Sequence, residues 1–216
     1  MTNDTRSIEE LRRIALQPTL DAAVFDGFTR ETLKQGAEDA GEDRSIASVI
    51  WPHGVDDLLA FWSSEADSAA ADAVEKAVEQ NMRIREKVTE GVWGRISYLA
   101  PNKEAARRAA GVMAFPYRHP LVAKLTWKSA DAIWRALGDT STDFNFYSKR
   151  AILSGVISST QARWLADEAE DSAPTREFLE RRIEDVMKIE KLKARVKIPS
   201  PSGVIGSLAK MRYGSR

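Results

Sequence analysis

Apolar residues recur every three to four positions along almost the whole chain and almost never alternate with period two, a pattern that predicts an all-α fold. Ser7 with Glu10 three residues on forms a capping box ahead of Leu11, Ile14 and Ala15, and Pro18 is expected to kink or end that helix. Gly27 breaks the chain. Thr29 then starts a second helix through Leu33 and Ala37, which Gly41 closes. A short helix over 43–51 stops at Pro52, and Gly54 opens another through Leu58, Leu59, Phe61 and Trp62. Further helices are predicted over 84–99, 103–114, 121–137, 143–169 and 175–196, with breaks at Pro101, Pro116, Pro120, Gly138 and Pro174. The last has the clearest apolar stripe, through Phe178, Leu179, Ile183, Val186, Met187 and Leu192. Pro199 to Gly203 reads as a linker before a final short segment. Three parts follow: 1–54, 55–198 as the main helical domain, and 199–216 as linker and tail.

Charge sharpens this division. Lys and Arg number 32 and so do Asp and Glu, yet residues 1–60 carry −6 and residues 188–216 carry +7. A basic end on a neutral chain points to an anionic partner there. No apolar run approaches the roughly 18 residues that span a bilayer. The start, Met1-Thr2-Asn3-Asp4, is acidic where a signal peptide would be basic and disfavours a transit peptide; a cytoplasmic protein, peripheral on the inner face of a bacterial membrane, is expected. With no cysteine and only His53 and His119, thiol chemistry, disulfides and zinc clusters are excluded. Neither histidine has a glutamate three residues before it, as a helical di-iron site requires, and no nucleophile elbow or phosphate loop is present. No metal, cofactor or catalytic residue is expected, and the chain reads as a non-enzyme.

The stretch from Gly27 to Leu59 resembles the helix-turn-helix domain of tetracycline-repressor-like regulators. Its second helix, Asp43-Arg44-Ser45-Ile46-Ala47-Ser48-Val49-Ile50-Trp51, is mostly apolar and lies in an acidic region, so it lacks the chemistry that reads bases or holds phosphates. The helix-turn-helix is read as vestigial, with no nucleic-acid partner. The run from Ala130 to Ala151, with Ile133-Trp134-Arg135, Gly138-Asp139-Thr140-Ser141 and Asn145-Phe146-Tyr147, is similar to the CoQ-nine family of ubiquinone-biosynthesis accessory proteins. Arg83 to Val88 and Pro174 to Met187 extend the similarity to roughly residues 25–193. The resemblance implies a tetracycline-repressor-like fold that binds isoprenoid lipid instead of DNA and supports a di-iron ubiquinone hydroxylase. The family's Trp-Tyr pair is here Phe146-Tyr147, which loses an indole donor.

Neighbouring helical residues point about 100° apart, so Phe146 and Tyr147 cannot both face one core. The expected partner surface for the hydroxylase is Asp139, Asp143, Asn145, Phe146, Tyr147, Lys149 and Arg150, an aromatic centre with a charged rim. Small residues interleaved with Ile152, Leu153, Val156, Ile157 and Trp164 permit an apolar slot, and Trp127, Trp134, Leu153, Ile157 and Trp164 are the candidate pocket residues for a ubiquinone precursor. In the tail, Val204, Ile205, Leu208 and Met211 share one face of a helical wheel flanked by Lys210 and Arg212, an expected amphipathic membrane contact. The apolar content of 143–169 and 175–196 leads to an expected homodimer. Competing readings are a regulator with an effector pocket and a ligand-free scaffold.

Overall fold

The computed structural model describes residues 6–142 and 144–195, with side chains to 188. Among the described residues the chain is all-α, with nine α-helices and no strand: α1 (Ile8–Asp26), α2 (Arg30–Asp39), α3 (Ile46–Ile50), α4 (Val55–Glu79), α5 (Ile84–Leu99), α6 (Lys103–Met113), α7 (His119–Ala136), α8 (Phe144–Ala166) and α9 (Ala173–Arg195). Two single 3₁₀ turns, Ala100–Asn102 and Pro116–Arg118, bend the chain into α6 and α7. None of these helices is long and apolar enough to cross a membrane.

The caps explain why the boundaries fall where they do. Ser7 Oγ accepts from the Glu10 amide at 3.2 Å, and Glu10 accepts from the Ser7 amide at 2.7 Å, which completes the predicted capping box. Thr29 Oγ1 accepts the Thr32 amide to start α2. That helix ends where Gly41, at φ 82°, lets the Gly41 and Glu42 amides reach the carbonyls of Glu38 and Ala37. Pro18 does not end α1: the helix runs through it to Asp26. Burial of Ala15, Leu16, Thr19, Leu20 and Ala23 on one face outweighs the single lost backbone bond. The crossing of α1 with α2 is tight. A Cβ on Gly36 would lie 1.9 Å from Thr19 Oγ1 and 2.7 Å from its Cα.

Two apolar cores lie end to end along α4, α5 and α8. The first joins Leu16, Leu20, Leu33, Ile50 and Trp51 to Leu58, Trp62, Leu99, Ala106 and Trp164, so residues on both sides of residue 54 share one core. The second holds Val74, Val88, Val92, Ile133, Leu153, Ile157, Leu179 and Ile183. Helices α4 and α5 meet closely, since a Cβ on Gly94 would sit 2.6 Å from Ala73 Cβ.

Candidate functional site

Beside the first core, α4, α5, α6, α7 and α8 enclose a cavity of about 420 Å³, within the usual range for small-molecule sites. Its walls are mainly apolar: Leu59 and Trp62 from α4, Leu99 from α5, the alanines of α6 with Met113, Val122 and Leu125 from α7, and Ile157 and Leu165 from α8. The deep end is formed by buried residues, among them Trp62, Ser63, Arg95, Leu99 and Ser129. The mouth lies between exposed Ala114 and His119 on one lip and exposed Ser158 and Ala162 on the other.

Arg95 supplies a fixed positive charge at the deep end. Its guanidinium donates to the Ser63 carbonyl and Ser63 Oγ, each at 3.0 Å, and pairs with Asp67. Its Nε is buried with no hydrogen-bond partner. Burial pushes the Asp67 carboxyl up, opposed by the Arg95 charge, and pushes Arg95 down, though a guanidinium stays protonated throughout the physiological range. Arg95 falls in register with Val88, Val92 and Leu99 on α5, and Asp67 with Ser63, Ala70 and Val74 on α4. A charge on an apolar stripe is the signal that would have found this pair in the sequence. The alanines of α6 carry no comparable signal.

A second feature lies where α7 meets α8. Phe144 is 80% exposed and Tyr147 61%, and Tyr147 stands edge-on to Phe146 at 5.1 Å with Trp127 at 6.3 Å. Beneath them Arg150, only 1% exposed, bonds Asp131 at 2.6 Å, Asp139 at 3.1 Å and the Phe146 carbonyl at 3.2 Å, with its guanidinium 3.5 Å from the Phe146 ring centre. Lys149 also bonds Asp139, at 2.8 Å. Burial alone would push the Asp139 carboxyl up, but hydrogen bonds from Lys149, Ser141 and Arg150 more than offset it and hold the group well below the usual carboxylate range.

The expected partner surface therefore divides into two layers. Asn145 and Tyr147 are exposed, Phe146 and Lys149 are half-buried, and Asp139 and Arg150 form a buried ion pair beneath them. Arg150 cannot belong to a charged rim, because it shares the inward face of α8 with Leu153 and Ile157. Phe144 joins the exposed layer unannounced; Asp143 lies outside the described residues. Of the expected pocket residues only Ile157 lines the cavity. Trp164 and Leu153 fill the two cores, Trp127 leans on Tyr147, and Trp134 lies under Lys149 at 5.2 Å. The membrane-contact residues Val204, Ile205, Leu208, Lys210, Met211 and Arg212 lie outside the described residues. No group of three or more His, Asp or Glu among the described residues is placed to hold a metal ion. In the stretch expected to form a helix-turn-helix, Arg44 is held by Glu31 and Glu38, which leaves its charge balanced.

Fold and site together define an all-α protein built around an apolar cavity, with an aromatic ledge displayed apart from it. Residues 119–190, which supply one cavity lip and the whole ledge, match the COQ9 family model. The chain is 28% identical over 201 residues to the ubiquinone biosynthesis protein COQ9, mitochondrial, of Bos taurus and 27% identical to that of Homo sapiens, covering 90% of this chain in each case. The Drosophila melanogaster protein of the same name is 22% identical over 187 residues, 85% of this chain. These matches support the COQ9 family for this chain. The chain spans 63% of the length of the Bos taurus and Homo sapiens relatives. The expected location on the inner face of a bacterial membrane is corrected by these findings, since the relatives are mitochondrial proteins of eukaryotes.

Proposed function

We propose that this chain acts in ubiquinone biosynthesis as a non-catalytic, lipid-binding accessory protein. It holds an isoprenoid quinone intermediate in the cavity and presents it to the di-iron demethoxyubiquinone hydroxylase, which docks on the Phe144–Tyr147 ledge. The observation that carries this reading is the cavity: a space of about 420 Å³ with mainly apolar walls suits one end of an amphiphile, and the Ser63 hydroxyl and Arg95 Nε offer donors to an oxygen-bearing head. The names of the similar proteins supply the pathway. The exposed aromatics, set on a buried charge network, have the make-up of a binding hot spot with a fixed base. A transcriptional regulator gains no support from Arg44, whose charge two carboxylates already balance.

Thermal melting with added short-chain ubiquinone tests the cavity. A ligand at 100 times its Kd adds about 2.7 kcal/mol and raises the Tm by several degrees. A Tm unmoved by any isoprenoid quinone would exclude the cavity as its binding site.

A further inference from the structure

The corner between α6 and α7 differs in charge from the rest of the chain. Between Glu90 and Asp131 the sequence has one acidic residue, Glu104, against seven basic ones. Arg95 is consumed by Asp67 in the interior, Arg118 by Asp56 at 2.8 Å, and Arg107 pairs with Glu104. Arg108 and Lys124 are exposed on the two helices that flank the corner, with no ion pair to a described residue, and Lys128 lies exposed one turn beyond Lys124.

At the corner itself, Phe115 is 55% exposed and Tyr117 70%, their rings stacked at 6.0 Å and 29°. Neither ring joins a core. Their position is fixed from below: Arg118 bonds Asp56 on α4, the Tyr117 hydroxyl at 2.7 Å and the Val112 carbonyl at 3.3 Å. Pro116 and Pro120 restrict the backbone on both sides. An aromatic pair held out into solvent, with unpaired cations on the two helices that lead into it, has the composition found at the boundary of a bilayer. The same corner provides one lip of the cavity mouth, through Ala114 and His119.

We propose that the α6–α7 corner is a docking surface for an anionic lipid bilayer. Phe115 and Tyr117 enter the headgroup layer, and Arg108 and Lys124 lie against its phosphates. The opposite charge of the surface selects an anionic leaflet, and the neighbouring mouth explains why the contact lies here. A membrane-held ligand reaches the cavity without crossing water only when that lip meets the bilayer. This last point rests on the lipid-binding reading above; the docking surface itself does not.

The absence of cysteine makes the test direct. Ala114→Cys in the full chain gives one attachment point for a polarity-sensitive nitrobenzoxadiazole dye beside the aromatic pair. Glu79→Cys, about 25 Å farther along α4 than Trp62, gives a control. With phosphatidylcholine vesicles containing one quarter phosphatidylglycerol, the dye at 114 shifts to the blue and brightens severalfold while the dye at 79 does not change. Phosphatidylcholine alone gives a much smaller response. Arg108→Glu with Lys124→Glu weakens partitioning at least about tenfold without lowering the Tm, as does Phe115→Ser with Tyr117→Ser. A chain that floats with the anionic vesicles while the dye at 114 stays in water overturns the proposal, as does a chain that does not bind them. Lipid extraction from the same preparation keeps the two readings apart. A cavity ligand found without dye insertion fails the docking surface alone, and dye insertion without a cavity ligand fails the cavity alone.

Discussion

Replacing Arg150 by methionine removes a charge that four groups share. The side chain is 1% exposed; its loss leaves Asp139, 6% exposed, and Asp131, 19% exposed, without their common partner. Breaking a buried ion pair from one side costs about 3–5 kcal/mol. Here Lys149 stays on Asp139 and Arg135 stays on Asp131, so the lower end of that range applies, about 3 kcal/mol. That is a large share of the roughly 5–15 kcal/mol that keeps a domain folded. Urea unfolding followed by circular dichroism measures it as a lower midpoint at constant slope. Adding Asp139→Asn removes the stranded charge, so Arg150→Met with Asp139→Asn should cost less than the two single changes summed. The Phe146 carbonyl and ring also lose their contact, so the proposed docking of the hydroxylase on the ledge should weaken as well. A loss under about 0.5 kcal/mol, the size of an ordinary surface substitution, would mean that Arg150 contributes little to the fold.

Gly36→Val should destabilise the fold by at least about 2 kcal/mol in the same assay, because the added carbons meet the Thr19 backbone as well as its hydroxyl. Tyr147→Ala, at a largely exposed ring, should leave the Tm near the wild-type value and, if the ledge is the proposed docking surface, weaken binding to the hydroxylase by about 2 kcal/mol, read by calorimetry. Asp139 has a depressed pKa when folded, so its contribution is full above the ordinary carboxylate range and lost as pH falls below about 4 toward the folded value; Asp139→Asn should flatten the acid limb of a stability-versus-pH curve. Asp167→Ala should cost about 1–2 kcal/mol, because its carboxylate accepts the Thr175 amide at 3.0 Å and the Thr175 hydroxyl at 2.5 Å in the first turn of α9.

Helix class and most boundaries were legible in the sequence because capping is local. Ser7, Thr29 and Gly41 act within a few residues of themselves and would do so in any helical fold. Whether α1 ends at Pro18 is not legible, for the converse reason: it depends on how much the rest of α1 buries. The aromatic ledge was half legible. Adjacent rings at 146 and 147 must diverge on any helix, but the depth of Arg150 depends on α7 lying across it. The cavity was the least legible. Tryptophans mark apolar volume without saying whether a neighbour or a void faces them, and Trp164 and Trp62, similar in sequence context, end in a filled core and at a cavity wall. The alanines of α6 look alike whether they face a helix or a space.

Whether the cavity holds an isoprenoid lipid is read out by native mass spectrometry of the purified chain beside its Ala110→Trp variant. The indole would fill much of the space between α6 and α8 without touching the ledge or the Arg150 network. An adduct of isoprenoid quinone mass is expected on the wild-type chain, lost from a variant that melts normally. An equal adduct on both, or none on either after incubation with ubiquinone, would contradict binding in the cavity.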